Sequence, residues 1–178
     1  ALKKSLRLEE LTNQFFDITR YNLQSMPITK QNIDLVFLLE QLVEESYPML
    51  QEKKLECILN KPKAIQFMGD GDKLARAFGN LLKNAINYSY LNTTIKIDIK
   101  EYEDKIEIVF KNKGDKISEY KLEKIFDKFY RADESRTSST GGAGLGLAIT
   151  KQIIELHNGK IYAKNDNEFI EFYIELSK

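Results

Sequence analysis

The chain lacks the residues that would tie it covalently or give it a choice of histidine chemistry. It has one cysteine in 178 residues, so no disulfide can form within it. That residue, Cys57, lies in the apolar run Leu55-Glu-Cys-Ile-Leu59 and reads as a buried strand position. A reducing compartment is consistent with this. There is one histidine, His157, in the stretch Leu156-His-Asn-Gly159. It reads as a cationic or polar cap at a helix end rather than a catalytic group. Net charge is also missing: 27 basic residues balance 27 acidic ones. No bulk attraction to nucleic acid or to an anionic membrane follows, so partners must be argued from local sites. No apolar run approaches a transmembrane length, and no signal peptide and no membrane contact are expected. The chain begins Ala1-Leu-Lys3 without a Met and is expected to be an excised fragment. What it does have is 42% hydrophobic residues, enough for the core of one domain with a short appendage.

Residues 2–24 read as a helix. Leu8, Leu11, Phe15 and Ile18 follow the 3-4-3 spacing of a coiled-coil seam, and Ser25-Met-Pro-Ile-Thr29 ends it. Asp34 can cap a helix from Leu35 to about Lys53, with Pro48 marking a kink or break. Strands are expected near 55–59 and 64–68. Gly69-Asp-Gly-Asp72 then turns the chain into a helix over 73–88, buried through Leu74, Phe78, Leu81, Leu82 and Ala85. The alternation over 94–100 and 105–110 predicts an antiparallel hairpin with one wet face. A short helix is expected over 118–130, a Ser/Thr-rich lid over 131–141 and a helix over 145–157. A final hairpin turns on Asn165-Asp-Asn167. The sum is a two-layer α/β sandwich, a mixed, mostly antiparallel sheet with helices on one face.

Two stretches carry the chemistry. Thr140-Gly-Gly-Ala-Gly-Leu-Gly-Leu-Ala-Ile149 holds Gly141, Gly142, Gly144 and Gly146, four of the nine glycines. A flexible loop running into a helix start leaves unpaired N–H donors and a positive dipole end, which together suit a phosphate. Taken alone, the cluster equally fits a surface loop closed by a core helix. On the helix 73–88, Asn80, Asn84 and Asn87 recur at i, i+4 and i+7 and form one stripe, with Tyr88 at its junction with the apolar face. Asparagine is a mediocre helix former. The stripe is therefore either a solvated face or a row of amide groups lining a cleft, able to hold Mg²⁺ bridged to phosphates. Between these stretches, Asn112 offers a carbonyl and an NH₂ to a base edge, Gly114 permits a close turn, and Arg131 could reach a phosphate.

In this order and spacing the pieces resemble the ATP-binding catalytic domain of sensor histidine kinases, within the wider group of gyrase and MutL-type ATPases. Asn80-Leu-Leu-Lys-Asn-Ala-Ile-Asn-Tyr-Ser89 is similar to the asparagine box of that family. Asn112-Lys-Gly114 resembles its first glycine box, Phe126-Asp-Lys-Phe-Tyr-Arg131 its phenylalanine box, and Gly142-Ala-Gly-Leu-Gly-Leu147 its second glycine box. More narrowly, Phe110-Lys-Asn112, Lys128-Phe-Tyr-Arg131 and Gly141-Gly-Ala-Gly144 are similar to sensor kinases of vancomycin resistance. The resemblance implies a Bergerat-type fold over 31–178, a linker at 25–30, and in residues 1–24 the tail of a dimerisation and phosphoacceptor helix. It implies ATP and Mg²⁺ as ligands. Asn80 and Asn84 would hold the metal and phosphates, and Arg131 would touch the terminal phosphate. Tyr88 would pack near the adenine with Asn112 and Gly114, and Ile117 and Phe129 would also bind the nucleotide. Gly142, Gly144, Leu145 and Gly146 would form the phosphate loop. The partners implied are the chain's own dimerisation domain and a response regulator, with the fragment itself a monomer. The parent would be anchored in the cell membrane with this part cytoplasmic.

Two departures stand out. The family usually carries Asp where this chain has Asn112, which removes charge assistance to the adenine amino group, a loss of about 1 kcal/mol. Lys116 replaces the second glycine of that box, so the turn must differ. A basic residue is also common where Asn87 stands, so no phosphate role is assigned to it. Gyrase-type ATPases place a water-activating Glu where Asn80 lies here, and an amide cannot act as a general base. The expected chemistry is therefore transfer of the ATP γ-phosphate to an external nucleophile, a histidine on the dimerisation domain, by positioning and charge neutralisation. The fragment should not phosphorylate itself. The competing reading is a nucleotide-gated interaction module with little or no transfer.

Overall fold

The computed structural model describes residues 27–128, 130 and 145–178. The helix expected over 2–24, most of the phenylalanine box from Phe129 onward, and the lid with Arg131, Gly142 and Gly144 lie outside the described residues.

The chain alternates short strands with helices: β1 (Gln31–Asp34), α1 (Leu35–Glu45), α2 (Tyr47–Glu52), β2 (Glu56–Asn60), β3 (Gln66–Gly69), α3 (Gly71–Tyr88), β4 (Thr94–Glu101), β5 (Lys105–Lys113), α4 (Glu119–Lys124), α5 (Gly146–Leu156), β6 (Lys160–Asp166) and β7 (Phe169–Ser177). The main sheet has the order β2-β4-β5-β7-β6. β2 and β4 run parallel, and every other neighbouring pair is antiparallel. The mixed, mostly antiparallel sheet read from the alternation is thus present. β1 was not foreseen. It pairs with β3 in a separate two-stranded ribbon, Asn32 opposite Met68 and Asp34 opposite Gln66.

One face of the sheet is apolar because every second residue is. Ile95, Ile97 and Ile99 of β4, Ile106, Ile108 and Phe110 of β5, and Ile170, Phe172, Ile174 and Leu176 of β7 are all buried. They form one cluster with Leu74, Phe78, Leu81 and Leu82 of α3 and Ile149, Ile153 and Ile154 of α5. Phe78 and Phe110 meet with ring centroids 6.3 Å apart. The opposite face of β5 and β7 carries ion pairs, with Lys111 3.2 Å from both Asp98 and Glu171. Cys57 faces the apolar side from the edge strand β2, so it is half-buried rather than fully buried. Even so, burial pushes its thiol up to about 11.

The helix expected over 35–53 is two helices. Asp34 does cap the first, its Oδ1 accepting from the Val36 N–H at 2.9 Å and the Ile65 N–H at 3.2 Å. The break comes at Ser46, and Pro48 sits in the first turn of α2, where its missing N–H costs nothing. The helix expected over 118–130 stops at Lys124 and continues as turns. Phe126 is core, packed edge-on against Phe172 at 6.2 Å.

Candidate nucleotide site

α3 is the element that places the site, and both of its ends are fixed. At its start the Asp70 carboxylate accepts from the Lys73 N–H at 3.1 Å and the Thr29 N–H at 3.1 Å, and pairs with the Lys73 Nζ at 2.7 Å. Burial pushes this carboxyl up, but the Lys73 and Thr29 hydrogen bonds outweigh it and hold it below the ordinary carboxylate value. The Asp70 N–H donates to His157 Nε2 at 2.9 Å, while His157 Nδ1 lies 2.7 Å from the Ile153 carbonyl. His157 is buried, and burial pushes its imidazole below the usual value. An imidazole that accepts at Nε2 and donates at Nδ1 is neutral, so its role is a polar rather than cationic link between the end of α5 and the start of α3. At the other end of α3, Lys53 Nζ donates to the carbonyls of Ile86 at 3.0 Å and Asn87 at 2.8 Å. A cation at a helix C-terminus is favoured by the dipole.

Held this way, α3 presents Asn80, Asn84 and Asn87 half-buried and Tyr88 exposed at its end. Asn80 and Tyr88 are eight residues apart, about 12 Å along the axis. Asn80 faces α5: its Nδ2 donates to the Gly146 carbonyl at 3.2 Å and to Thr150 Oγ1 at 3.4 Å. Thr150, buried, donates to the same Gly146 carbonyl at 2.8 Å. The amide plane of Asn80 is fixed through its nitrogen, which leaves Oδ1 as the atom able to meet a hard cation. Leu145, at the N-cap of α5, supplies no side-chain hydrogen bond. Among the described residues the first-turn N–H groups of Gly146, Leu147 and Ala148 therefore have no capping side chain, which suits an anion. Leu145 itself is buried core. Among the described residues no group of three His, Cys, Asp or Glu could hold a metal ion. A divalent cation here would rest on amide oxygens and on phosphate.

The other end of the stripe meets β5. Asn112 continues the apolar row Ile106–Ile108–Phe110 on the helix-facing side and is 2% exposed. Its Nδ2 has no hydrogen-bond partner among the described residues. Gly114 is buried against the last turn of α3. A Cβ there would stand 2.3 Å from the Tyr88 carbonyl oxygen and 3.4 Å from Asn112 Nδ2. The chain needs glycine there to approach a backbone closely, and the strap from the Tyr90 N–H to the Lys113 carbonyl, 2.9 Å, holds that approach. Tyr90 Oη donates to Asp115 Oδ1 at 2.6 Å across the same turn. With Lys116 exposed in place of a second glycine, the turn is closed by these side chains.

Ile117 lies beyond the turn, and a residue not singled out from the sequence fixes it. Asn165 accepts from the Ile117 N–H at 3.3 Å and donates to the Ile117 carbonyl at 2.7 Å. Asn165 sits across Ile170 from Asn112 in the sheet register. Its composition signal was that of a turn residue, and nothing local marks a clamp on a segment 48 positions away. The structure thus brings Asn80, Leu145 and Gly146 together at the middle of α3, and Tyr88, Asn112 and Gly114 at its C-terminal end, with Ile117 pinned beyond the turn. Asn84 lies between them on the same stripe. Phe129, Arg131, Gly142 and Gly144 lie outside the described residues.

Known proteins share this fold and sequence pattern. Residues 69–178 match the family model described as histidine kinase-, DNA gyrase B-, and HSP90-like ATPase. The sensor protein VanS of Enterococcus faecium is 48% identical over 176 residues, covering 99% of this chain and 46% of that protein. The sensor protein VanSC of Enterococcus gallinarum is 42% identical over 178 residues, covering 100% of this chain and 49% of that protein. The chain spans about half the length of these curated relatives. Among solved structures, the catalytic domain of the histidine kinase ThkA superposes with a TM-score of 0.73 at 28% identity, covering 86% of this chain and 97% of that one. No helix among the described residues is long and apolar enough to cross a membrane. The chain belongs to the family of histidine kinase-, DNA gyrase B- and HSP90-like ATPases.

Proposed function

We propose that this chain is the ATP-binding half of a two-component sensor kinase of the VanS kind, which holds Mg·ATP and presents its γ-phosphate to a histidine on a separate dimerisation domain. Residues 31–178 form the catalytic domain in this reading, and residues 1–24 are the tail of the phosphoacceptor helix. The observation that carries it is the pairing of two incomplete polar sites along one face of α3: an unsatisfied amide at Asn112 by its C-terminus, and uncapped donors at the start of α5 beside Asn80.

The residues present suit the ligands. Asn112, Tyr88, Gly114 and Ile117 take the base, with Phe129 completing that end. Asn80 and Asn84 hold the phosphates and the metal. Gly142, Gly144, Leu145 and Gly146 cradle the triphosphate, and Arg131 meets its end. Bound Mg²⁺ would neutralise charge that builds on the phosphate oxygens. The chain's own part is orientation. Asn80 sits where a general base would activate water, and an amide does not take a proton there. Hydrolysis is therefore slow, and the γ-phosphate is kept for an oriented nucleophile. His157 is neutral and committed at both nitrogens, so the acceptor histidine lies on another domain. The response regulator then takes the phosphoryl group from that domain, and the whole assembly works on the cytoplasmic side of a membrane-anchored parent.

The test is calorimetric titration of the chain with ATP, with and without Mg²⁺, followed by incubation with a separate dimerisation domain carrying its histidine. The expected results are saturable binding, its loss in Asn84→Ala, and acid-labile phosphate on the added domain. Failure of the well-folded chain to bind ATP would overturn the reading. Binding without transfer would leave a nucleotide-gated interaction module instead.

A further inference from the structure

Asn112 occupies a position that the alternation of β5 reserves for core. An isoleucine there would continue the row Ile106–Ile108–Phe110 with nothing to satisfy. The chain instead buries an amide to 2% exposure and leaves its Nδ2 without a partner among the described residues. A buried donor kept open in this way needs an acceptor from beyond the described residues, and a ligand can supply one. The asparagines around it behave differently. Asn165 is locked at both ends on the Ile117 backbone, and Asn80 is held through its nitrogen by Gly146 and Thr150. The Nδ2 of Asn112 is held by no such bond.

We propose that Asn112 makes the base site tolerant of 6-keto purines, so that inosine- and guanosine-type triphosphates bind alongside ATP. This rests on the nucleotide-binding reading above and sets its base specificity. The 6-amino edge of adenine offers an N6–H donor beside the N1 acceptor. The 6-keto edge of hypoxanthine or guanine offers the reverse, an O6 acceptor beside an N1–H donor. An ionised carboxylate at this position has acceptors only, so it takes the amino edge and repels the keto oxygen. An amide carries one donor and one acceptor. A half turn about its Cβ–Cγ bond exchanges them while the purine stays in place. Among the described residues Nδ2 makes no hydrogen bond that this half turn would break. Gly114, packed against the Tyr88 carbonyl, keeps the adjoining backbone free of a side chain that would crowd the amide in either orientation.

The experiment is competition binding on the intact chain with ATP, ITP and UTP. ITP differs from a guanine nucleotide by lacking the 2-amino group, so it isolates the 6-position. UTP reports the triphosphate without a purine edge. The expected result is ITP within about tenfold of ATP and UTP more than about tenfold weaker than both. In Asn112→Asp, ITP should fall by about tenfold or more relative to ATP, because a lone pair then faces O6. ATP binding with ITP more than about tenfold weaker in the unmodified chain would overturn the tolerance and leave the nucleotide site intact. UTP equal to ATP would also overturn it, since the base would not be read. Loss of all three from a well-folded chain would remove the nucleotide reading itself. The comparison in the unmodified chain decides the matter even if the Asp variant does not fold.

Discussion

Substituting Ala for Gly114 would test the fit between β5 and α3 with one methyl group. The new Cβ would lie 2.3 Å from the Tyr88 carbonyl oxygen, about 1 Å inside the 3.3–3.6 Å at which carbon and carbonyl oxygen normally meet. Neither side yields easily. The neighbouring carbonyls of Ile86 and Asn87 are held by Lys53 Nζ at 3.0 and 2.8 Å, so the last turn of α3 is anchored. The β5 side is strapped by the Tyr90 N–H to the Lys113 carbonyl at 2.9 Å. Relief requires breaking that strap or shifting the helix end. Overpacking costs about 1–3 kcal/mol and the lost hydrogen bond about 1 kcal/mol, giving about 2–4 kcal/mol in all. For a chain of this size each kcal/mol lowers Tm by about 2–4 °C, so a fall of roughly 5–15 °C is expected in a calorimetric scan, with ATP affinity reduced in the same variant. Gly146→Ala is the control. Its Cβ would meet Asn80 Cγ at 3.8 Å, an ordinary contact, and alanine is the better helix residue, so its Tm should hold or rise slightly. An unchanged Tm in Gly114→Ala would refute the claim that this approach is rigid.

Four further outcomes follow from the geometry. Replacing Asn165 with Ala frees both backbone groups of Ile117 and should cost about 1–2 kcal/mol in urea unfolding, with ATP affinity falling several-fold by calorimetry if Ile117 lines the base. Lys111→Met leaves the buried Glu171 with Tyr173 Oη at 2.6 Å and a distant Lys164. It should cost about 1–2 kcal/mol, discounted for the partial exposure of the lysine, and leave nucleotide binding unchanged, since it lies on the outer face of the sheet. His157 has a folded-state value depressed by burial, so the unfolded chain binds its proton first. Stability should be fully present above about pH 6.5 and decline below it, and denaturant midpoints of His157→Gln should be flatter across that range. Cys57, raised to about 11, should react with iodoacetamide at pH 8 on the order of a hundredfold more slowly than in the unfolded chain.

Much of the fold could be read from periodicity because the sheet is regular. The alternation in Thr94–Glu101 and Lys105–Lys113 reports a strand with one dry face whatever its partner, and the 3.6-residue stripe of Gly71–Tyr88 reports the helix that covers it. What escaped were features decided by neighbours. β1 is four residues long and polar, and it exists because β3 lies beside it. The split between α1 and α2 comes from Pro48 being tolerated in a first turn, which makes a break at Ser46 easier than a kink in one long helix. Helix periodicity in residues 118–130 reflects Leu122, Ile125 and Phe126 reaching the core, and turns accomplish that as well as a helix does.

The asparagines show where local reading stops. Asn80, Asn112 and Asn165 have the same side chain. Asn80 is fixed by a residue 66 positions away, Asn165 grips one 48 positions away, and the Nδ2 of Asn112 is held by none of the described residues. The spacing of 80, 84 and 87 marks a polar stripe but not which amides are already spent on the protein. That distinction decides function, because a satisfied amide is architecture, while an amide with an open donor or acceptor is a place for a ligand. On this ground Asn112, which breaks an apolar strand pattern and reads locally as a flaw in the core, carries more information about a possible ligand edge than any glycine in the run 141–146. A glycine loop only permits close approach, and an open buried amide, which offers a donor or an acceptor according to its orientation, asks for a polar edge.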